Sequence, residues 1–205
     1  MEEYPAITHV TAEAIPPKFR VYYDEPAAAM LIAGSMRERM HLYDLSTDRP
    51  RVILCIGTDR STGDSLGPLV GSKVAALNNR HYHVYGTLAE PVHAANLKEK
   101  LREISLRHRN ALIFAVDASL GYPENVGAIN VGMGPLIPGA GVNKSLPPVG
   151  HIHITAVVNV GGFMEYVVLQ NTRLSVVMRQ AEVIADAFLR LAEEEKGPEQ
   201  PLTTC

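Results

Sequence analysis

VILCIGTDRSTGDSLGPLVGSKVAAL, residues 52–77, runs from a short apolar stretch through a polar, glycine-containing loop into an amphipathic segment. Its first five residues are all apolar, which is typical of a parallel strand buried on both faces. Towards its end, Leu66, Val70 and Val74 recur at the spacing of one helical turn. The stretch therefore predicts a β-strand, a loop and an α-helix in succession.

The same alternation continues along the chain. Apolar runs predict further strands, and apolar residues at helical spacing predict further helices. Alternating strands and helices of this size predict an α/β fold, a three-layer α/β/α sandwich around a mainly parallel sheet. The predicted strands after the first are residues 83–88, 112–116, 126–133 and 152–160, and the other predicted helices are residues 26–42, 97–104 and 172–193.

The chain divides into three predicted parts. Residues 1–45 are expected to form an N-terminal arm and a helix, because residues 1–23 contain several prolines and no sustained period. Residues 46–193 are expected to form the α/β domain. Residues 194–205, with glycine and prolines, are expected to form a flexible tail.

Composition narrows the class of protein. Apolar residues make up 46% and charged residues 20% of the chain, which excludes wholesale disorder. A net charge of -3 argues against whole-molecule attraction to nucleic acid or to an anionic membrane. The two cysteines, Cys55 and Cys205, form no paired motif, which is typical of a reducing compartment. Without a signal-like N-terminus or a long apolar run, we expect a soluble, cytoplasmic protein.

The loops that follow the first and third predicted strands are the candidate ligand site, because open α/β sheets bind ligands at the carboxyl ends of their strands. The first of these loops, residues 57–68, has Asp59 where a dinucleotide fingerprint has its second glycine. It also has Asp64 where a phosphate-binding loop has lysine, and a carboxylate there would repel phosphate. The sequence therefore argues against nucleotide binding by this loop.

Asp64 in the first loop and Asp117 directly after the third predicted strand are the candidate catalytic residues. If the two strands are neighbours, the carboxyls meet and one of them keeps its proton. The apolar run before Asp117 would raise its pKa, whereas the helix start after Asp64 would favour the charged form. Such a pair offers an acid and a base at the same pH. Alternatively, Asp64 caps the helix and Asp117 bonds to loop N–H groups.

The GDSLG sequence of residues 63–67 also matches the G-x-S-x-G pattern of serine hydrolases, with Ser65 as the nucleophile. In that pattern the serine directly follows its strand, whereas Ser65 lies eight residues beyond Gly57. No histidine follows His153 that could complete a late triad. A serine hydrolase is therefore the weaker alternative.

The glycine-rich loop of residues 132–144 could approach a ligand closely with its backbone. Lys144 in this loop could hold a substrate carbonyl or be a solvated lysine. His151 and His153 alternate on a predicted strand, a spacing compatible with a metal. Because they begin that strand, at the edge opposite the aspartates, we expect packing histidines and no metal.

Three motifs occur in order along the chain: residues 56–68 (IGTDRSTGDSLGP), residues 115–118 (AVDA) and residues 138–144 (PGAGVNK). In this order they resemble the germination protease of spore-forming bacteria, an atypical aspartic endopeptidase that degrades small acid-soluble spore proteins. Over residues 50–192 the chain is still more similar to the YyaC family of small sporulation proteins. It resembles the hydrogenase-maturation endopeptidases more distantly.

The resemblance implies a phosphorylase/hydrolase-like, peptidase-type fold with catalysis by Asp64 and Asp117. The maturation endopeptidases bind nickel through two acidic residues and a histidine, but no histidine lies in the corresponding region here, residues 138–145. We therefore expect no metal and no cofactor. By analogy with a zymogen, the N-terminal arm could cover the site. The residues implied in substrate binding are Gly63, Gly139, Gly141, Asn143 and Lys144.

The leading hypothesis is a sporulation-associated endopeptidase in the cytoplasm of a forespore or mother cell. Its substrate would be a peptide or a small acid-soluble spore protein, and neither nucleic acid nor a membrane is an expected partner. A homo-oligomer is compatible with the sequence. The alternatives are a non-catalytic protein that keeps the peptidase fold and binds a peptide or protein, and a serine hydrolase at Ser65.

Overall fold

A computed structural model of the chain describes residues 15–43, 49–77, 81–139 and 146–194. Most of the predicted N-terminal arm and nearly all of the predicted tail lie outside the described residues. The described residues form a six-stranded sheet with the strand order β1-β5-β6-β4-β2-β3. The strands are β1 (Phe19–Tyr22), β2 (Arg51–Cys55), β3 (His83–Tyr85), β4 (Leu112–Gly121), β5 (Ala128–Met133) and β6 (Ile152–Val160).

The sheet is parallel over four neighbouring strands. β3, β2, β4 and β6 run in the same direction, as buried strands joined by helical crossovers do. β5 and β1 pair antiparallel at the remaining edge. The first and third predicted strands, now β2 and β4, are direct neighbours, so the adjacency on which the aspartate pair depends is confirmed.

Five α-helices accompany the sheet in the described part of the chain: α1 (Ala28–His41), α2 (Leu66–Ala76), α3 (Leu97–Arg107), α4 (Glu165–Gln170) and α5 (Leu174–Glu194). α1, α2 and α5 pack on one face, in a core that includes Ile53 and Phe114. α3 packs on the other face, in a core that includes Leu54 and Ala115. The predicted three-layer α/β/α sandwich is therefore confirmed.

Three strands differ most clearly from the sequence-based prediction, and α4 was not predicted as a helix. β1 is a strand, although its segment was expected to lack regular structure. It forms by pairing with β5, which lies far along the chain and leaves no local pattern in the sequence of β1. β3 ends at Tyr85 rather than residue 88, because only its first residues find a partner in β2. β4 continues to Gly121, since β6 keeps pairing with it after β2 has ended.

None of the helices in the described ranges is both long and apolar enough to cross a membrane.

Candidate active site

The loop after β2 folds back on itself and fixes the position of Asp64. The Thr58 N–H donates a hydrogen bond to the Asp64 carbonyl oxygen at 3.1 Å. Gly57, with φ +148°, lies so close that an added Cβ would be 2.0 Å from the same oxygen. Only glycine, which has no Cβ, allows the two backbone segments to lie this close together. The backbone of Asp64 is therefore held directly above the end of β2.

The start of α2 is pressed against the end of β2. A Cβ added to Gly67 would lie 2.1 Å from the Ile56 carbonyl oxygen. A short 3-10 turn, Gly63–Ser65, leads into the helix, and its N-cap residue Ser65 makes no side-chain capping bond. The glycines of the GDSLG sequence thus serve close packing, which brings Asp64 to the carboxyl edge of the sheet.

Asp117 lies inside β4, whereas the sequence places it in the loop after the strand. β2 ends at Cys55, which pairs with Val116, so Asp117 is the first residue of β4 without a β2 partner. On its other side it pairs with Thr155 of β6. Continued pairing with β6 is the reason that the strand extends further. Asp117 therefore stands on a rigid strand, at the point where the neighbouring strand stops.

The two carboxyls are electrostatically coupled and both are half-buried. Burial and, to a smaller extent, the negative charge of Asp64 raise the pKa of Asp117 to about 8, while the hydrogen bond from the Ala118 N–H acts in the opposite direction. Burial also raises the pKa of Asp64, and the Ser61 hydroxyl opposes that rise. The expectation that the helix start favours the charged form of Asp64 is therefore wrong. Desolvation of the carboxyl is the main cause of the raised pKa.

The pair still divides into an acid and a base at neutral pH. Because the charge of Asp64 contributes to the raised pKa of Asp117, Asp64 is the carboxyl that ionises first. Near pH 7 the site then holds one carboxylate and one carboxylic acid. One group that accepts a proton and one that donates a proton are what hydrolysis of an amide requires.

Ser65 occupies a structural position. Its hydroxyl donates a hydrogen bond to the Thr62 carbonyl oxygen at 2.6 Å, and the residue is 7% exposed. A nucleophilic serine needs an accessible hydroxyl beside a base. The local geometry explains the serine as part of the turn that leads into α2.

The residues implied in substrate binding are only partly described. Gly63 adjoins Asp64, and an added Cβ there would lie 2.7 Å from Leu169 Cδ2. Gly139 ends the described part of the glycine-rich loop, with φ +78°. Gly141, Asn143 and Lys144 lie outside the described residues.

The described base of the glycine-rich loop covers the α3 side of the sheet. Leu136 and Val149 pair across this base and pack in the α3-side core together with Ala115. Asp117 lies two residues beyond Ala115, on the same side of β4. The loop and Asp117 therefore share one side of the sheet.

His151 and His153 are hydrogen-bonded inside the sheet. The Ile113 N–H donates to His151 Nδ1 at 3.0 Å, and His153 Nδ1 donates to the Gly134 carbonyl oxygen at 2.9 Å. Burial lowers the pKa of His151 to about 4. These contacts fit packing histidines.

Across the described ranges, no three His, Cys, Asp or Glu side chains gather as metal ligands.

Two features of the site were missed in the sequence. Ser61 faces the carboxyl of Asp64, and the contact between Gly63 and Leu169 places α4 beside the 3-10 turn. Ser61 is one of several polar residues in its loop, so its position in the sequence gave little signal. The contact with α4 joins segments far apart in the chain, and it leaves no local pattern.

The chain is similar in sequence to a curated protein and in structure to a solved protein. The chain is 57% identical over 140 residues to "Uncharacterized protein YyaC" of Bacillus subtilis (strain 168), with 68% of each chain covered. Among solved structures, it is similar to the [NiFe] hydrogenase maturation protease HycI from Thermococcus kodakarensis KOD1, with a TM-score of 0.46 and 16% identity. That match covers 73% of this chain and 97% of the other.

A protein-family match extends over residues 20–187, which include most of β1 and most of α5 together with both aspartates. The chain therefore belongs to the family described as "Protein of unknown function (DUF1256)".

Proposed function

We propose that the chain is a sporulation-associated endopeptidase that uses Asp64 and Asp117 to hydrolyse peptide bonds. The observation that carries this proposal is the meeting of two half-buried, coupled carboxyls where β2 ends beside β4. One carboxyl comes from a loop fixed by close backbone contacts and the other from a strand. Catalytic groups on such rigid supports keep their geometry during a reaction.

The reaction follows from the protonation states. The Asp64 carboxylate takes a proton from a water molecule, whose oxygen attacks the carbonyl carbon of the peptide bond. Asp117 gives its proton to the carbonyl oxygen, so a neutral tetrahedral diol forms. Asp64 then protonates the leaving nitrogen while Asp117 takes back a hydroxyl proton and the C–N bond breaks. The site returns to its starting protonation state, as general acid–base catalysis requires.

The substrate class rests on the three ordered motifs that resemble the germination protease. Small acid-soluble spore proteins are therefore the substrates proposed here, in the cytoplasm of a spore-forming cell. The glycine-rich loop, including Gly141, Asn143 and Lys144, would hold the substrate backbone. Glycine permits the close approach that a backbone-to-backbone contact needs.

The test is intact-mass spectrometry of small acid-soluble spore proteins incubated with four forms of the protein. These are the wild type, Asp64→Asn, Asp117→Asn and Ser65→Ala. We expect new fragments with the wild type and with Ser65→Ala, and at least a hundredfold loss of rate in each Asn variant, because each removes half of the acid–base pair. Far-ultraviolet circular dichroism checks that the variants are folded.

The outcomes separate the rival functions. A fully active Asp64→Asn or Asp117→Asn variant would refute the aspartate mechanism. Loss of cleavage in Ser65→Ala alone, together with labelling of the wild type by a fluorophosphonate, would identify a serine hydrolase. A stable complex without fragments would identify a protein that keeps the fold and binds without cleaving.

A further inference from the structure

An open cavity of about 450 Å³ lies between the end of β6 and α4. We call it the α4 cavity. Its volume is within the range of ligand pockets, roughly 300–1,000 Å³. Its lining is mainly apolar and contains no charged side chain. The lining residues are Asn159, Val160, Gly161, Phe163, Val167, Val168 and Asn171.

α4 lines the α4 cavity and also packs against the turn that carries Asp64. Gly63, next to Asp64, is packed so closely that an added Cβ would lie 2.7 Å from Leu169 Cδ2 and 3.0 Å from Thr172 Oγ1. Asn159, in the wall of the cavity, donates a hydrogen bond to the same Thr172 oxygen at 3.2 Å. The cavity and Asp64 therefore lie against the same short helical segment.

The strand geometry gives a second connection. β6, which ends at the cavity, pairs with β4 from Phe114 to Gly121. Asp117 lies in the middle of that pairing, and the Gly161 N–H donates to the Gly121 carbonyl oxygen at 2.8 Å. The cavity is thus at the carboxyl edge of the sheet, the edge at which α/β proteins bind ligands.

Large apolar side chains are exposed around the cavity. Phe163, in the lining, is 90% exposed. Met164 and Tyr166 are also exposed, and Met164 adopts the left-handed conformation with φ +57°. That conformation costs free energy for a residue other than glycine and is concentrated at functional sites. An exposed apolar cluster of this kind marks a binding surface.

We propose that the α4 cavity binds a large apolar side chain of the peptide substrate, next to the bond that the aspartates cleave. The inference rests on the proposed function, because it assigns the substrate preference of the same site. Phe163 and Val167 would contact the apolar side chain. A charged side chain would lose its hydration in the cavity and find no opposite charge there, so it would be rejected.

The binding test uses the Asp64→Asn protein, so that no cleavage is needed for a signal. Two pools of fluorescein-labelled decapeptides are compared by fluorescence anisotropy. Both are randomised except at one central position, which is Phe in one pool and Lys in the other. We expect the Phe pool to bind at least about tenfold more tightly, as burial of one aromatic side chain predicts.

Variants assign the preference to the cavity. Phe163→Ala or Val167→Asp, each added to Asp64→Asn, should reduce the preference for the Phe pool to less than about threefold. The matched control is Leu106→Ala, which removes an exposed leucine on α3. That control should leave the preference unchanged, and circular dichroism verifies the folding of each variant.

The binding results test the cavity assignment, and the cleavage results test the peptidase function separately. Equal binding of the two pools, no binding of either, or an unchanged preference in both cavity variants would overturn the cavity assignment whatever the activity. So would a wild-type dimer that Phe163→Ala converts to a monomer, because the surface would then bind a second copy. A Phe preference without any cleavage by the wild type would refute the peptidase and leave the cavity assignment standing.

Discussion

Replacement of Asp117 by asparagine should make the protein more stable at neutral pH. Asparagine has the shape of the protonated carboxyl but cannot ionise. In the unfolded chain an aspartate loses its proton near pH 3.9, whereas burial and the charge of Asp64 raise the pKa of Asp117 in the folded protein to about 8. Between these two pH values the folded state holds one more proton than the unfolded state.

The sign and the size of the effect follow from that proton. The unfolded state binds fewer protons than the folded state in this pH range. Ionisation of Asp117 therefore lowers the free energy of unfolding of the wild type by about 1.4 kcal/mol for each unit that the pH rises. The fall ends near the folded pKa, about 8. The free energy of unfolding of Asp117→Asn minus that of the wild type should therefore increase by about 2 kcal/mol from pH 5 to pH 7. This value allows for solvent screening of a half-buried group.

Urea denaturation followed by circular dichroism at pH 5, 6, 7 and 8.5 measures this difference. A growth of about 2 kcal/mol corresponds to a relative midpoint shift of about 1 M urea. Other titrating groups cancel in the comparison, since Asp64 has a neutral neighbour in both proteins below pH 8. Asp59→Asn, which alters an exposed carboxylate of the same loop, is the control. A difference between Asp117→Asn and the wild type that stays constant from pH 5 to 7 would refute a protonated Asp117.

Four further predictions concern the pH dependence of activity, two glycines and Ser65. Peptidase activity should fall as the pH rises through about 8, because the raised pKa of Asp117 sets the loss of the acid; a plateau of the pH–rate profile from pH 7 to 10 would contradict this. Gly67→Ala should lower the free energy of unfolding by about 3 kcal/mol, since its Cβ would lie 2.1 Å from the Ile56 carbonyl oxygen. Gly34→Ala, whose Cβ would have its nearest neighbour at 3.8 Å, should stabilise α1 by about 0.5–1 kcal/mol. Urea denaturation measures the free energy of unfolding of both glycine variants. Ser65→Ala should keep peptidase activity within about threefold and lose about 1 kcal/mol of stability with its hydrogen bond to the turn, so inactivity in a folded Ser65→Ala protein would contradict the structural role.

The local sequence carried most of the information about the sheet. β2 and the first part of β4 are runs of apolar residues without alternation, and both were predicted because burial on both faces leaves this pattern in the sequence. The amphipathic pattern of α5 was equally visible. β1 was missed because a four-residue edge strand has little pattern of its own and depends on β5 for its hydrogen bonds.

The candidate site was predicted only in part. The sequence identifies Asp64 and Asp117 by the positions of their loops, but it does not contain the order of the strands. The sequence analysis placed Asp117 in a loop, because the apolar run ends before Asp117. The end of an apolar run shows where burial of the strand ends, but strand pairing continues beyond it. The sequence also assigned the wrong direction to the pKa shift of Asp64, since the dipole of a helix start is visible in the sequence whereas burial is not.

The sequence by itself determined the α/β alternation, the apolar strands, and the presence of two aspartates in the segments that approach the carboxyl edge. These are local properties, because each depends on residues within a few positions of one another. Only the tertiary structure decided that β2 and β4 are neighbours, that pairing with β6 extends β4 past Asp117, and that α4 lines a cavity and packs against the turn of Asp64. Each of these depends on contacts between distant parts of the chain, and the pKa of Asp117 depends on them too, because desolvation and the charge of a neighbour exist only after folding.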